Sequence, residues 1–204
     1  ALDLSSVYEN KSSLSVGQIV KAGNINDAKI VEAMGNSPGK ALLFSGGGIV
    51  KKNTFEAVEK KFIHMHPGSL PSIRGADCFF WSVLVKGFPT CSAIYQNVGI
   101  DTGSVLHEES FELPTFNHQF LNGLSIARRL RLNELVYWSI LDYYDPMMRA
   151  ITLSRLVEKV RAGFRIDNLE IRSQLESEGR TYHRMHAKLR NKLIELMLLK
   201  GKHI

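Results

Sequence analysis

Two short apolar runs, KALLFS (40–45) and KFIHM (61–65), flank a segment that opens on three glycines and continues as a helix-forming stretch, GGGIVKKNTFEAVEK. Each run has the length of a buried strand. A helix between two such strands returns the chain to the same edge of a sheet, so the spacing predicts parallel pairing with a helix on one face. The alternation extends on both sides. A strand is expected at VGQIV (16–20) and a helix at INDAKIVEAM (25–34), opened by an Asn or Asp cap. A second helix is expected at ADCFFWSVLVKG (76–87), followed by strands at TCSAIYQN (90–97) and SVLHEESFEL (104–113). The expected class is α/β, Rossmann-like, with a largely parallel sheet.

After Pro114 the strand patterns vanish. Helical segments are expected at 115–144, 146–162 and 180–200, interrupted at Asp145-Pro146 and near Gly179. The reading is a core over residues 1–113 followed by a mainly helical C-terminal region, 114–204, packed on it or extending it.

FIHMHPGSLPSIRGAD (62–77) ends an apolar run on two histidines and passes into a loop punctuated by proline and glycine. His64 and His66 stand at i and i+2, so their side chains share a face at the carboxyl end of a strand, where open α/β sheets bind ligands. A structural role is equally open, one imidazole bonded to backbone in the turn and the other solvated. Gly46, Gly47 and Gly48 let backbone approach a ligand or hold a phosphate, but without a following Lys-Ser/Thr pair they are no P-loop. Arg74 either meets an anionic acceptor or caps the proline loop. Phe79 and Trp81 read as core rather than as a stacking platform.

Charge narrows the partners. The 204 residues carry 26 basic and 20 acidic side chains, a net +6 that suits an anionic ligand. Much of the excess lies in ARRLRL (127–132) and HRMHAKLRNK (183–192), where helical patterning implies solvated faces, so nucleic acid is not the expected partner. Tyr182, Met185, Leu189, Leu193 and Leu196 recur at helical spacing as the buried stripe. His183 and His186, at i and i+3, lack a carboxylate companion, and no metal site is expected. Cys78 and Cys91 lie in apolar stretches as buried free thiols. No apolar run approaches the ~20 residues that span a bilayer, and ALDLSSVYENKSS lacks the regions of a signal peptide. The expectation is a soluble cytoplasmic protein without a membrane partner, its long helices suited to pairing between two copies of the chain.

The stretch IHMHPGSLPSIRGADCFFWSVLVKGFPTCSAIYQNVGIDTGSVL (63–106) resembles the 10-formyltetrahydrofolate-dependent formyltransferases, a family that includes glycinamide ribonucleotide, methionyl-tRNA and nucleotide-sugar formyltransferases. The family pattern is a strand ending in Asn-x-His, a Pro-rich loop with Arg-Gly, a helix carrying an aromatic residue, then a strand and a Gly-(Ile/Leu)-Asp-Thr-Gly loop. The matching pieces here are His66, PGSLPSIRG, Trp81 and GIDTG (99–103), with the proline loop closer to the sugar-modifying members.

The resemblance implies formyl transfer from 10-formyltetrahydrofolate to a small-molecule amine such as an amino sugar nucleotide. Attack on the formyl carbon builds an oxyanion and leaves a proton on the amine, so the site needs a donor and a proton carrier. His66 matches the histidine that donates to that oxygen, and Asp101 the aspartate that orients it. His64 replaces the asparagine. A neutral imidazole offers an N–H in its place, while two close imidazoles resist both being charged. Ser45, Gly46, Gly47, Gly48 and Ile49, with Val98 and Gly99, match the segments that line the pterin pocket. The family's first βα unit has no counterpart at the front of this chain. Together with His64, that departure keeps open a folate- or nucleotide-binding module without turnover. Hydrolysis of the formyl donor by water is the nearby enzymatic alternative.

Overall fold

The computed structural model describes residues 19–46, 48–116, 131–161, 172–175 and 177–200. They fall into two compact units, residues 1–38 with 47–59, and residues 39–46 with 60–204.

The first unit contains helices α1 (Ala28–Asn36) and α2 (Lys52–Val58). Asp27 precedes α1 but does not cap it. Its carboxylate instead accepts from Gly23 N–H at 2.6 Å and from the Asn24 side-chain amide at 2.6 Å. These local bonds offer the backbone an alternative to the helix, and α1 therefore begins later than the expected 25–34. Asn26 secures the approach to α2: its amide donates to Ile49 O at 3.0 Å, and its Oδ1 accepts from Lys51 N–H and the Thr54 hydroxyl, each at 2.8 Å. Residues 19–20, the described end of the strand expected at 16–20, are not in a strand.

The second unit is built on a four-stranded sheet in the order β1-β2-β4-β5, with β1 Ala41–Phe44, β2 Lys61–His66, β4 Thr90–Tyr95 and β5 Val105–Ser110. β1 and β2 pair in parallel, as the two apolar runs predict, with Phe44 opposite His64. The expected largely parallel sheet is corrected to a mixed one, because β4 runs antiparallel to both β2 and β5. The loop joining β4 to β5 is shorter than the dozen or so residues that a crossover between parallel strands requires. Helix α3 (Cys78–Lys86) lies between β3 (Ile73–Gly75) and β4 in the chain.

Two corrections concern the C-terminal region. Asp145-Pro146 does not interrupt a helix. α4 (Leu132–Ser139) passes through a π-helical turn (Ile140–Tyr144) into α5 (Asp145–Arg161) without a break. Asp145 N–H bonds to Ile140 O in the wide i→i+5 pattern, and this π turn directly precedes Pro146, the point at which the ladder takes in a residue with no N–H to donate. The helix expected from 180 is instead a short strand, β6 (Arg180–Tyr182), parallel to β3, followed by α6 (Ala187–Lys200). Residues 183–186 are held by tertiary bonds: the Trp81 indole N–H donates to His183 O at 2.9 Å, and Met185 N–H to the Asp77 carboxylate at 2.9 Å. His183 and His186 are therefore not on a helix. A three-residue strand carries too little pattern to be read in the sequence. Residues 117–130 of the expected helix at 115–144 lie outside the described residues.

The core joins Met65, Ala93 and Leu106 of the sheet to Phe79, Phe80 and Val83 of α3, and to Val136, Ile140, Met148 and Leu156 on α4, the π turn and α5. α6 adds Leu193, Ile194 and Met197. Each large side chain so buried is worth roughly 1.5–3 kcal/mol relative to exposure. Leu189 and Leu196 of the expected stripe are exposed at 39% and 47%, because α6 begins only after Met185 and turns different positions inward. Cys78 and Cys91 are buried free thiols, and burial pushes the Cys91 thiol up to about 11. Among the described residues no helix is long and apolar enough to cross a membrane.

Candidate active site

β2 brings His64 and His66 to one face at its carboxyl end, their ring centroids 6.4 Å apart. β1 stops opposite His64, and the chain leaves β2 at Pro67. His66 is 2% exposed. Its Nε2 lies 2.9 Å from Ile73 O, and its Nδ1 lies 3.4 Å from Asp101 Oδ1. Gly68 makes that placement possible: a Cβ there would stand 2.7 Å from His66 Nε2 and 2.8 Å from Ile73 O.

Asp101 arrives from the loop between β4 and β5. It adopts a left-handed backbone, φ 54°, which costs an L-residue roughly 1–2 kcal/mol and is tolerated best by Asn and Asp. The loop is fixed by Asn97, whose Oδ1 accepts from Gly99 N–H at 3.1 Å and the Thr102 hydroxyl at 2.8 Å. Asp101 Oδ2 accepts from Gly75 N–H at 2.9 Å. Gly75 is required as glycine: its φ is 101°, and a Cβ would meet Tyr182 O at 2.2 Å.

Charge follows from these bonds. Burial alone would depress the His66 pKa, but hydrogen bonding and the charge of Asp101, with help from Cys78, raise it to about 10. Burial likewise opposes ionisation of Asp101, yet His66 and the Gly75 N–H hold its carboxyl below the usual range. His66 and Asp101 therefore form an imidazolium–carboxylate pair. His64 goes the other way, lowered by burial and by the charges of His66 and Arg149 against the hydrogen bond to Phe44 O. One imidazole is charged and its neighbour neutral.

The neutral state decides what His64 offers. Its Nδ1 sits 3.0 Å from Phe44 O, a carbonyl that can only accept, so Nδ1 carries the proton and Nε2 is left as a lone pair. The N–H that a neutral imidazole would lend to a substrate is thus committed to the fold. His66 has both N–H groups partnered as well, but 3.4 Å to Asp101 is long for a charge-assisted bond. Its Nδ1–H is the donor most easily shared with a second oxygen.

Arg74 is 3% exposed, with its guanidinium donating to Gln174 Oε1 at 3.0 Å and to Leu175 O at 3.2 Å. These bonds hold the guanidinium against residues 174 and 175. Gln174 in turn donates to Asp101 O at 3.1 Å and to Gly103 O. Arg149 donates to Met65 O, between the two histidines, at 2.6 Å and is neutralised by Asp145 at 2.8 Å.

The segments matched to the pterin pocket are open to solvent. Ser45 and Gly46 are exposed, as are Gly48 and Ile49, the last at 74%. A Cβ at Gly46 or at Gly48 would meet nothing within 4 Å. Val98 and Ile100 are each 57% exposed, and Gly99 lies in the Asn97 turn. Gly47 lies outside the described residues. Asn97, Gly68, Gly75, Arg149 and Gln174 were not singled out in the sequence as supports of the site. Of these, Gly68 and Asn97 carried a signal, as a glycine directly after His-Pro and an Asx-turn residue before Gly-Ile-Asp.

No family model matches the chain. A methionyl-tRNA formyltransferase of Rickettsia bellii (strain RML369-C) is 31% identical over 75 residues, 36% of this chain. The match spans only 24% of that relative's length. Among solved structures, methionyl-tRNA formyltransferase from Clostridium thermocellum aligns with a TM-score of 0.52 at 16% identity, covering 90% of this chain and 67% of that one. The formyltransferase PseJ from Anoxybacillus kamchatkensis, solved with UDP-4,6-dideoxy-4-formamido-L-AltNAc and tetrahydrofolate, aligns with a TM-score of 0.51 at 16% identity. It covers 96% of this chain and 87% of that one. The chain therefore has a formyltransferase-like α/β fold.

Proposed function

We propose that the chain transfers a formyl group from 10-formyltetrahydrofolate to a small-molecule amine, an amino sugar nucleotide being the class its proline loop fits best. The observation that carries this reading is the pairing of the buried His66, at the carboxyl end of β2, with Asp101 at 3.4 Å. Methionyl-tRNA formyltransferase and PseJ, the latter solved with tetrahydrofolate, support it through fold.

In this reading the amine nitrogen attacks the formyl carbon and forms the new C–N bond. His66 supplies positive charge and its Nδ1–H to the developing oxyanion, while Asp101 holds the ring and its charge state. His64 Nε2, a lone pair on the same face, receives the amine proton. Collapse of the tetrahedral centre breaks the bond to the folate nitrogen, which leaves with the proton that His64 Nε2 returns. Within the second unit, the exposed Ser45 and Gly46 and the apolar Val98 and Ile100 fit the edge and face of a flat heterocycle, a fit that the missing side chain at 46 helps. The division into a core over 1–113 and a helical region over 114–204 that shapes acceptor choice belongs to the same proposal, as do pairing of two copies and a cytoplasmic setting.

The test follows tetrahydrofolate release from 10-formyltetrahydrofolate with and without a panel of amino sugar nucleotides and amino acids. Amine-dependent release that disappears in His66→Ala and Asp101→Ala is the expected result. Release that ignores the amine would identify a hydrolase. Binding of the donor with no release under any condition would leave only a binding module and sink the transfer reading.

A further inference from the structure

The substitution that separates this chain from the family pattern changes more than a donor. One ring nitrogen each from His64 and His66 and one carboxylate oxygen from Asp101 lie within 4.8 Å of one another. We propose that these three residues form a binding site for a divalent first-row transition-metal ion, held by His64 Nε2, His66 Nδ1 and the Asp101 carboxylate. Two imidazoles and one carboxylate are the ligand set of open, catalytic-type sites, which keep further positions for water or substrate.

Four features of the geometry point there. First, the outward nitrogen of each ring is anchored on a main-chain carbonyl, His64 Nδ1 on Phe44 O at 3.0 Å and His66 Nε2 on Ile73 O at 2.9 Å. Such anchoring fixes the tautomer and turns the other nitrogen's lone pair inward, the arrangement that metal-ligating histidines use. Second, Asp101 is oriented in the same way, with Oδ2 tied to Gly75 N–H at 2.9 Å and Oδ1 facing the histidines. Third, the 3.4 Å from His66 Nδ1 to Asp101 Oδ1 matches the ~3.3 Å edge of a tetrahedron of ligands about 2.0–2.1 Å from zinc. Fourth, the nearby cation Arg149 has its charge matched by Asp145 at 2.8 Å. Asparagine at position 64, as in the family pattern, would remove an imidazole and leave only one. His183 and His186 are not part of the cluster.

A metal ion and the proton between His66 and Asp101 are alternatives, since Nδ1 has one lone pair. The site is independent of the formyl-transfer reading, and its test reads the metal directly. The chelator-treated full chain is titrated with Co²⁺, following the visible d–d absorption, and with Zn²⁺ by equilibrium dialysis. One equivalent per chain is expected, with affinity falling at least about 100-fold in His64→Asn and in Asp101→Asn, and unchanged in His183→Ala. No stoichiometric binding, or binding that His64→Asn leaves intact, overturns the site. Should both variants fail to fold, X-ray absorption of the zinc-loaded wild type decides: two imidazole ligands are expected, and one or none overturns it. Formyl transfer by metal-free protein that binds no metal would sink this proposal and spare the other. Stoichiometric metal without transfer would do the reverse.

Discussion

The two stretches matched to family function are held in opposite ways. In the first, His66 is buried and Asp101 partly so, and the two are held by Ile73 O, Gly75 N–H, the Asn97 turn and the Gln174 amide. Ser45, Gly46, Gly48 and Ile49 are exposed, with open space beside Gly46 and Gly48. One is a preorganised constellation, whose value lies in fixed distances and fixed charge. The other is a surface whose value lies in what it leaves unfilled. Substitutions in the first should strike turnover, and substitutions in the second should strike binding.

The largest expected effect comes from cutting the pair. His66→Ala or Asp101→Ala should lower the rate of formyl transfer by at least about 100-fold while the affinity for a non-reactive folate analogue changes little. Equal losses in both quantities would break the contrast between the two stretches. Next is Gly68→Ala, which drives a methyl group to within 2.7 Å of His66 Nε2 and within 2.8 Å of the Ile73 carbonyl. A destabilisation of about 1–3 kcal/mol, read by chemical denaturation, should come with impaired turnover. Wild-type stability in that variant would mean that the ring is not where its neighbours place it.

Proton linkage sharpens the same contrast. His66 has its pKa raised from 6.5 to about 10 in the folded protein, so the stability it contributes is complete below pH 6.5 and is lost as pH rises toward 10. Asp101 is depressed below its ordinary 3.8, so its contribution is complete above that value and is lost as pH falls through the lower folded pKa. The pair should therefore stabilise the fold most between about pH 4 and 6.5. Denaturation midpoints with chelator present should decline from pH 6.5 to 10 in the wild type and lose that slope in Asp101→Asn. A slope that survives the substitution would remove the imidazolium–carboxylate pair from the account. The smallest effect is expected in the open segment. Gly48→Ala, at φ 99°, should cost about 1 kcal/mol and weaken tetrahydrofolate binding severalfold, with the rate at saturating donor retained.

The sequence made the first stretch legible because its logic is local and chemical. His64 and His66 at alternate strand positions and Asp101 in a glycine-flanked loop announce themselves by residue type and spacing. The parallel pairing of β1 with β2 was legible for the same reason. What stayed hidden is carried by contacts between residues distant in the chain. Nothing at position 174 says that a glutamine amide will hold the Asp101 loop, and nothing at 149 says that an arginine will bond Met65 O. The proton state of His64 was hidden too, since it depends on the Phe44 carbonyl in the neighbouring strand. β6 escaped because three residues cannot show a period, and α6 was placed too early because Met185 falls at helical spacing without being helical.

The bond from Arg149 to Met65 O makes α5 a gauge for the strand end that carries both histidines. A transplant of residues 61–113 into another scaffold would carry every side chain of the motif yet lose the instrument that sets their spacing. The segment 145–161 therefore belongs in any minimal piece cut from this protein to keep the cluster of His64, His66 and Asp101, although it contributes no group to that cluster.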